Sequence, residues 1–214
     1  MTKKNYFMLT LTNILLGLSL LSCQPSTSIP QQLNYNDRTN ITKKSIPEPN
    51  SLNTALIILD MQETYFNYVD KKEWQEEFPN YLSIIESAKQ NNVPIYLIEF
   101  DGAGKTIDEI TQALGNYNYT SIIKTTDNVF ESTSLYDLLN QNNSKYAILV
   151  GFYGSQCITD SGIGGYNKGF HIGVSEELMS DNPHYDKNLP LKLYEKFSTV
   201  YSVEEIIKIF EMQQ

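Results

Sequence analysis

Residues Lys145–Phe170 read KYAILVGFYGSQCITDSGIGGYNKGF. The apolar run Ala147–Val150 stops at Gly151, and Cys157 follows six residues later. A short unbroken apolar run fits a strand buried on both faces of a parallel sheet. A helix is expected from about Gln156 to Lys168. Cys157 therefore falls where a buried strand turns into a helix.

The same alternation extends outward from this stretch. TALIILD (Thr54–Asp60), VPIYLIEF (Val93–Phe100), YTSIIK (Tyr119–Lys124) and FHIGVS (Phe170–Ser175) read as further strands. Pro94 is tolerable at a strand start. Helical spacing appears in EEFPNYLSIIESAKQNN, where Leu82, Ile85 and Ala88 share a face and Asn91-Asn92 ends the run. TIDEITQAL and STSLYDLLNQNN read as helices, the latter with Leu135, Leu138 and Leu139 inward. YSVEEIIKIFEMQ opens with Ser202 and Glu205 in capping-box spacing. Alternating strands and helices predict an α/β fold: a three-layer α/β/α sandwich around a five- or six-stranded, mainly parallel sheet.

The chain has 214 residues, 41% of them hydrophobic and 19% charged, with a net charge of −9. That length suits one domain of ordinary size. No basic patch stands out, so nucleic acid is not an expected partner. The first residues read as a leader. Lys3 and Lys4 precede an apolar segment from Tyr6 to Ser22, which Thr10, Thr12 and Asn13 interrupt. Its ending, Leu20-Leu21-Ser22-Cys23, resembles the bacterial lipobox. The resemblance implies cleavage before Cys23, lipidation of Cys23 and export to the cell envelope on a membrane anchor. By resemblance to Gram-negative sorting, Gln24 in the next position favours the outer membrane, if the cell has one. Residues 24–50, rich in Ser, Pro, Gln, Asn, Thr and Lys, read as a flexible tether. The expected organisation is a signal peptide at 1–22, a lipid-anchored tether at 23–50 and a folded domain at 51–214. Cys157 is then the one cysteine of the exported domain, either inert and buried or a reactive thiol.

Ligands of parallel α/β sheets bind outside the carboxyl ends of the strands. Three chemically complementary residues are expected there: Asp60 ends the first strand, Lys124 the third, and Cys157 follows the fourth. A helix N-terminus and an ammonium favour the thiolate, and a carboxylate can take the thiol proton. Backbone N–H groups of the turn can hold an oxyanion. Each residue also has a plainer reading. Asp60 suits a helix N-cap before MQETYF, Lys124 an exposed strand end, and Cys157 a small buried hydrophobe.

The quoted blocks resemble the isochorismatase-like cysteine hydrolases. LIILDMQETYF matches the opening block of that family, with an Asp ending the first strand and x-Gln after it. IIKTTDNVFESTSLYDLL resembles the second block through Lys124, Phe130, Thr133 and Leu135. LVGFYGSQCITDSGIGGYNKGF resembles the third through Gly151, Cys157, Ile158, Ser161, Gly162, Gly165 and Gly169. The resemblance implies a catalytic triad of Asp60, Lys124 and Cys157. It implies a cis peptide before Tyr153 and an oxyanion hole from the N–H groups of Tyr153 and Cys157. It places Phe66, Tyr153 and Gln62 at a substrate pocket, and it carries a tendency to homo-oligomers.

The chain departs from the family pattern in places. EFDGAGKTIDEI holds no histidine where nicotinamidases of the family carry Asp-x-His, and the only histidines are His171 and His184. No catalytic metal and no cofactor is expected, and nicotinamide is disfavoured. True isochorismatases often lack the cysteine, so Cys157 favours a small amide, ureido or related C–N substrate. The rival reading is a catalytically silent, ligand-binding lipoprotein that keeps the fold. A redox role lacks a Cys-x-x-Cys. DGAGKT lacks the first glycine of a P-loop and reads either as a turn in which Thr106 caps the next helix or, through Asp101–Gly104, as a border of the pocket. Trp74 reads as a helix packing residue, His171 as a strand residue, and His184 as part of the loop SDNPHYD.

Overall fold

The computed structural model describes residues 48–181 and 193–213. The leader, Cys23, most of the tether and His184 lie outside the described residues. The elements are β1 (Thr54–Leu59), α1 (Glu63–Phe66), α2 (Lys71–Gln90), β2 (Ile95–Phe100), α3 (Asp108–Leu114), β3 (Thr120–Lys124), α4 (Val129–Ser132), α5 (Leu135–Gln141), β4 (Tyr146–Phe152), α6 (Thr159–Asn167), β5 (His171–Ser180), β6 (Ser198–Val200) and α7 (Val203–Glu211). A π-helical turn, Gly154–Ile158, joins β4 to α6.

Among the described residues the sheet has six strands in the order β3-β2-β1-β4-β5-β6. Every strand pairing is parallel. The period-two alternation of each strand divides its side chains between two cores. Leu56, Ile58, Ile95, Leu97, Ile148 and Val150 face one side, where Tyr81, Ile84, Ile110, Ile206 and Phe210 of α2, α3 and α7 cover them. Ala55, Ile57, Leu59, Tyr96, Ile98, Ala147 and Leu149 face the other, under Val129, Phe130, Leu135 and Leu139 of α4 and α5 and Ile158 of the turn. This is the expected three-layer α/β/α sandwich.

Several expectations need correction. Helix α2 begins five residues before the expected start, capped by the Asp70 carboxylate, which accepts from the N–H groups of Lys72 and Glu73. It carries Pro79 in its interior. Leu82 points to solvent, and the buried face is Trp74, Tyr81, Ile84, Ile85 and Ala88. Thr106 does not cap α3: the N-cap is Ile107, and the Thr106 hydroxyl donates to Glu99 at 2.7 Å. Strand β5 runs on to Ser180, past the expected Ser175, through a register shift opposite Leu149–Gly151. The Ser202/Glu205 capping box is present at α7. Trp74 packs among Phe66, Phe78, Tyr81 and Phe152, and His171 opens β5 with its ring stacked on Tyr146.

Candidate active site

Strand β1 ends at Leu59, and Asp60 turns away from the sheet with φ of +54°. Its N–H is still held by the Ile98 carbonyl at 2.9 Å. Lys124, the last residue of β3, lies two strands away, since β2 separates β3 from β1. Adjacent strands are about 4.8 Å apart, so a reach across one intervening strand needs a long side chain. The four-carbon stem of lysine supplies it. The ammonium crosses above Phe100, the register partner of Lys124, with Nζ 5.2 Å from the ring centroid. It meets Asp60 Oδ2 at 2.7 Å, and both side chains are fully buried. The exposed-strand-end reading of Lys124 is therefore wrong. So is the N-cap reading of Asp60, because α1 starts from Gln62.

Burial pushes the Asp60 carboxyl above the usual carboxylate range, although the Lys124 ammonium and a hydrogen bond with Cys157 pull the other way. Burial works against the charged Lys124, but the Asp60 carboxylate and Cys157 outweigh it and hold its pKa above the ordinary lysine value. A raised carboxyl beside a retained ammonium is the condition of a group that can accept a proton and later release it.

The third residue arrives through β4. Gly151 has φ of +122°, and a Cβ there would stand 2.1 Å from the Leu59 carbonyl oxygen. Only glycine lets β4 lie this close to the end of β1. The Phe152–Tyr153 peptide is cis, as the resemblance implied. The π turn follows and carries Cys157, which is buried, into contact with the ion pair. The turn is fastened on two sides. Ser155 donates its N–H (3.1 Å) and hydroxyl (2.7 Å) to Asp181 beyond the end of β5. The Gly154 carbonyl accepts from Thr159 Oγ1 at 2.7 Å and from the Tyr194 hydroxyl.

The structure thus brings Asp60, Lys124 and Cys157 together, with Tyr153 at the base of the turn. The Tyr153 hydroxyl donates to the Tyr65 carbonyl at 2.6 Å, and its ring meets Tyr65 edge-on. Phe66 stacks on Phe152 and edges against Trp74. Gln62 differs from the expectation of a pocket ligand. It is almost completely buried, donating to the Phe100 and Gly104 carbonyls and accepting from the Phe100 N–H. It straps the DGAGKT loop to the end of β2.

Sequence reasoning missed Asp127, whose Oδ1 accepts from Cys157 Sγ at 3.6 Å. Its signal was a carboxylate three residues beyond Lys124, in the loop leaving a site strand. Asp181 was missed as well, because β5 was read five residues short. Among the described residues, no three or more His, Cys, Asp or Glu side chains converge to hold a metal ion. A groove of about 590 Å³ lies at the amino ends of β4, β5 and β6, lined by Tyr146, His171, Ser198 and Tyr201. It sits at the opposite edge of the sheet from the ion pair and contains none of its members.

The model of the isochorismatase domain matches residues 54–205, the span that supplies all three strand ends. The chain belongs to the isochorismatase family. Membership makes it a hydrolase by family, with the substrate left open. An uncharacterized isochorismatase family protein of Bacillus subtilis, YaaI, is 25% identical over 174 residues, covering 72% of this chain and 96% of its own length. Among solved structures, a cysteine hydrolase from Pseudomonas syringae superposes with a TM-score of 0.66 at 15% identity, covering 78% of this chain and 98% of that one. N-carbamoylsarcosine amidase from Thermoplasma acidophilum gives a TM-score of 0.62 at 17% identity, covering 71% and 96%. These two likenesses establish the shared isochorismatase fold.

Proposed function

We propose that this isochorismatase-family protein is a cysteine hydrolase that cleaves the C–N bond of a small amide, ureido or related molecule. Asp60, Lys124 and Cys157 are its catalytic residues. The observation that carries this reading is the fully buried Lys124–Asp60 pair, 2.7 Å apart, seated against Cys157 at the carboxyl edge of the sheet. A buried ion pair is weak evidence for stability, because desolvation offsets the attraction. Its contact with a thiol in a π turn is explained better by chemistry.

The reaction follows from the chemistry of these groups. Cys157 Sγ bonds to the carbonyl carbon, and the thiol proton passes to Asp60. The carbonyl oxygen becomes an oxyanion facing the N–H groups of Tyr153 and Cys157. The C–N bond then breaks, and Asp60 returns its proton to the leaving amine. Water attacks the resulting thioester, giving a proton to Asp60 and its hydroxyl to the carbon. The C–S bond breaks, the acid leaves, and Asp60 reprotonates the thiol. Lys124 stays charged throughout and holds Asp60 in place. Phe66 and Tyr153 wall the pocket.

The test is turnover of a panel of small amides and ureido compounds by the wild type, Cys157→Ala and Asp60→Asn, with intact-mass detection of an acyl adduct. The expected result is hydrolysis and a trapped adduct in the wild type alone. Turnover that survives Cys157→Ala overturns the reading. A wild type that binds panel members and forms no adduct supports the silent, ligand-binding alternative.

A further inference from the structure

One peptide unit of the π turn is gripped at both of its polar ends. The Gly154 carbonyl accepts from the Tyr194 hydroxyl and from Thr159 Oγ1 at 2.7 Å. The Ser155 N–H, the other end of the same peptide, donates to both Asp181 carboxylate oxygens at 3.1 Å. In a trans peptide the carbonyl and the N–H point opposite ways, so turning this unit breaks both holds at once. Gly154 makes room for them. A Cβ there would stand 3.0 Å from Asp181 Oδ2 and 3.5 Å from the Tyr194 hydroxyl oxygen. The same lack of a side chain leaves the peptide little steric preference of its own, so its attitude depends on the groups that hold it. Two bonds inside the turn, from the N–H groups of Gln156 and Ile158 to the Tyr153 carbonyl, are both 3.2 Å, the long end of the normal range.

Tyr194 is itself firmly placed. It precedes β6, its ring is fully buried, and it meets Phe197 edge-on. Its carbonyl accepts from the Phe197 N–H at 3.1 Å and from Ser198 Oγ at 2.8 Å. The Phe197 ring lies over Gly162 of α6, where a Cβ would come within 2.5 Å of it. Tyr194 shares its core with Ile158 and Phe197, and a hydroxyl buried among apolar groups is costly unless it is hydrogen-bonded. The Gly154 carbonyl meets that need, with Thr159 Oγ1 3.2 Å away. Burial pushes the phenol well above the ordinary tyrosine value, against the Thr159 hydrogen bond and with the Asp181 and Asp160 charges, so the hydroxyl keeps its proton.

The N–H groups that face the oxyanion in the mechanism above, those of Tyr153 and Cys157, lie on either side of this peptide. One is a residue before Gly154 and the other two residues after Ser155. The attitude of the Gly154–Ser155 unit therefore sets how the two are aimed relative to each other. An error of about 1 Å in such aim costs roughly 100-fold in rate. We propose that Tyr194 is a positioning residue for the hydrolysis: by holding the Gly154 carbonyl, its hydroxyl keeps the Tyr153 and Cys157 N–H groups aimed at the oxyanion that forms when Cys157 is acylated. The proposal rests on the cysteine-hydrolase reading, and it adds a residue that acts through the turn.

The test compares two reactions of Cys157 in the full chain. With p-nitrophenyl acetate the Sγ–C bond forms, the thiol proton passes to Asp60, an oxyanion develops on the carbonyl oxygen, and the bond to p-nitrophenolate breaks. With iodoacetamide the sulfur displaces iodide, and no oxyanion develops. Acylation is read as the p-nitrophenolate release that disappears when Cys157→Ala is added to each protein. Alkylation is read from the mass of the peptide that holds Cys157. Tyr194→Phe keeps the ring against Phe197 and removes only the hydroxyl. It is expected to slow acylation about 10- to 100-fold and to change alkylation by less than about twofold, since only acylation uses the oxyanion N–H groups. Phe197→Leu loosens the same segment and leaves the Tyr194 hydroxyl in place, so the ratio of the two rates should stay within about twofold of the wild type. A wild type whose Cys157 is not acylated removes the cysteine-hydrolase reading and this proposal with it. If the wild type is acylated and Tyr194→Phe keeps its rate, or slows both reactions alike, or Phe197→Leu lowers the ratio as far, the reading stands and the role of Tyr194 is overturned.

Discussion

Lys124 spans two strands to reach Asp60, and removing it leaves a fully buried carboxylate without its ammonium. Breaking a buried pair from one side costs about 3–5 kcal/mol. Lys124→Ala should lose about that much in urea unfolding near neutral pH, and adding Asp60→Asn to it should restore a large part. The pH dependence has a definite sign. In the wild type the folded Lys124 pKa is raised, so its contribution is complete below about 10.5 and is lost as pH rises through the folded value. In Lys124→Ala the Asp60 carboxyl, already raised by burial, loses its main offset. The folded variant then holds a proton that the unfolded chain releases above about 4, so its stability falls as pH rises. Equal unfolding midpoints at about pH 5 and pH 7.5 would contradict a buried, unpaired carboxylate as the cause. At this scale the sequence made Asp60, Lys124 and Cys157 legible, because each ends or follows an apolar run that ordinary strand patterning marks. Asp127 has no such mark: it lies in a loop, and its backbone is held by Lys124 of β3 and Ser161 of α6, which reach it from two other elements.

The element that decides the site is the π turn, and its hold on Asp181 is open to measurement. Ser155 directs both its N–H and its hydroxyl to the Asp181 carboxylate. Asp181→Ala should cost about 1–3 kcal/mol, the range for leaving buried donors unpaired. Amide exchange at Ser155–Cys157 should accelerate while the central strand β1 stays protected, since local opening need not spread to the core. Uniform loss of protection across β1 would mean that Asp181 supports the whole sheet and not the turn. The order of elements was readable because period-two runs and helical spacing alternate cleanly. The departures are ones that local patterns do not encode. Apolar spacing placed the helix from Glu76 onward, yet the Asp70 cap and the packing of Trp74 carry α2 back to Lys71. The register shift opposite Gly151 prolongs β5 into a polar stretch, SEELMS, that does not read as strand.

At the scale of the whole molecule, the two ends of the described fold meet at one edge. The Ser51 N–H and hydroxyl both donate to the Met212 carbonyl, and Asn53 Nδ2 donates to the Glu48 carbonyl. This clasp lies at the amino end of β1, and Asp60 lies past its carboxyl end. Six residues of strand separate them, about 20 Å at the rise of a β-strand. The described fold is therefore joined to the residues before Glu48 at the edge of the sheet opposite Asp60. We infer that Cys23 is the attachment point, on the strength of the Leu20-Leu21-Ser22-Cys23 sequence after an apolar leader. The expected outcome is that the wild type, made in a bacterium with lipoprotein processing, partitions with membranes and yields a peptide that begins at Cys23 and carries lipid on its sulfur and N-terminus. Cys23→Ser should move it to the soluble fraction, while amide hydrolysis by the solubilised domain changes by less than about twofold, since the clasp and Asp60 stand at opposite ends of the six-residue β1, about 20 Å apart. An unmodified Cys23 in the membrane fraction would remove the lipid from the account. A large loss of hydrolysis in Cys23→Ser would remove the separation of anchor from active site.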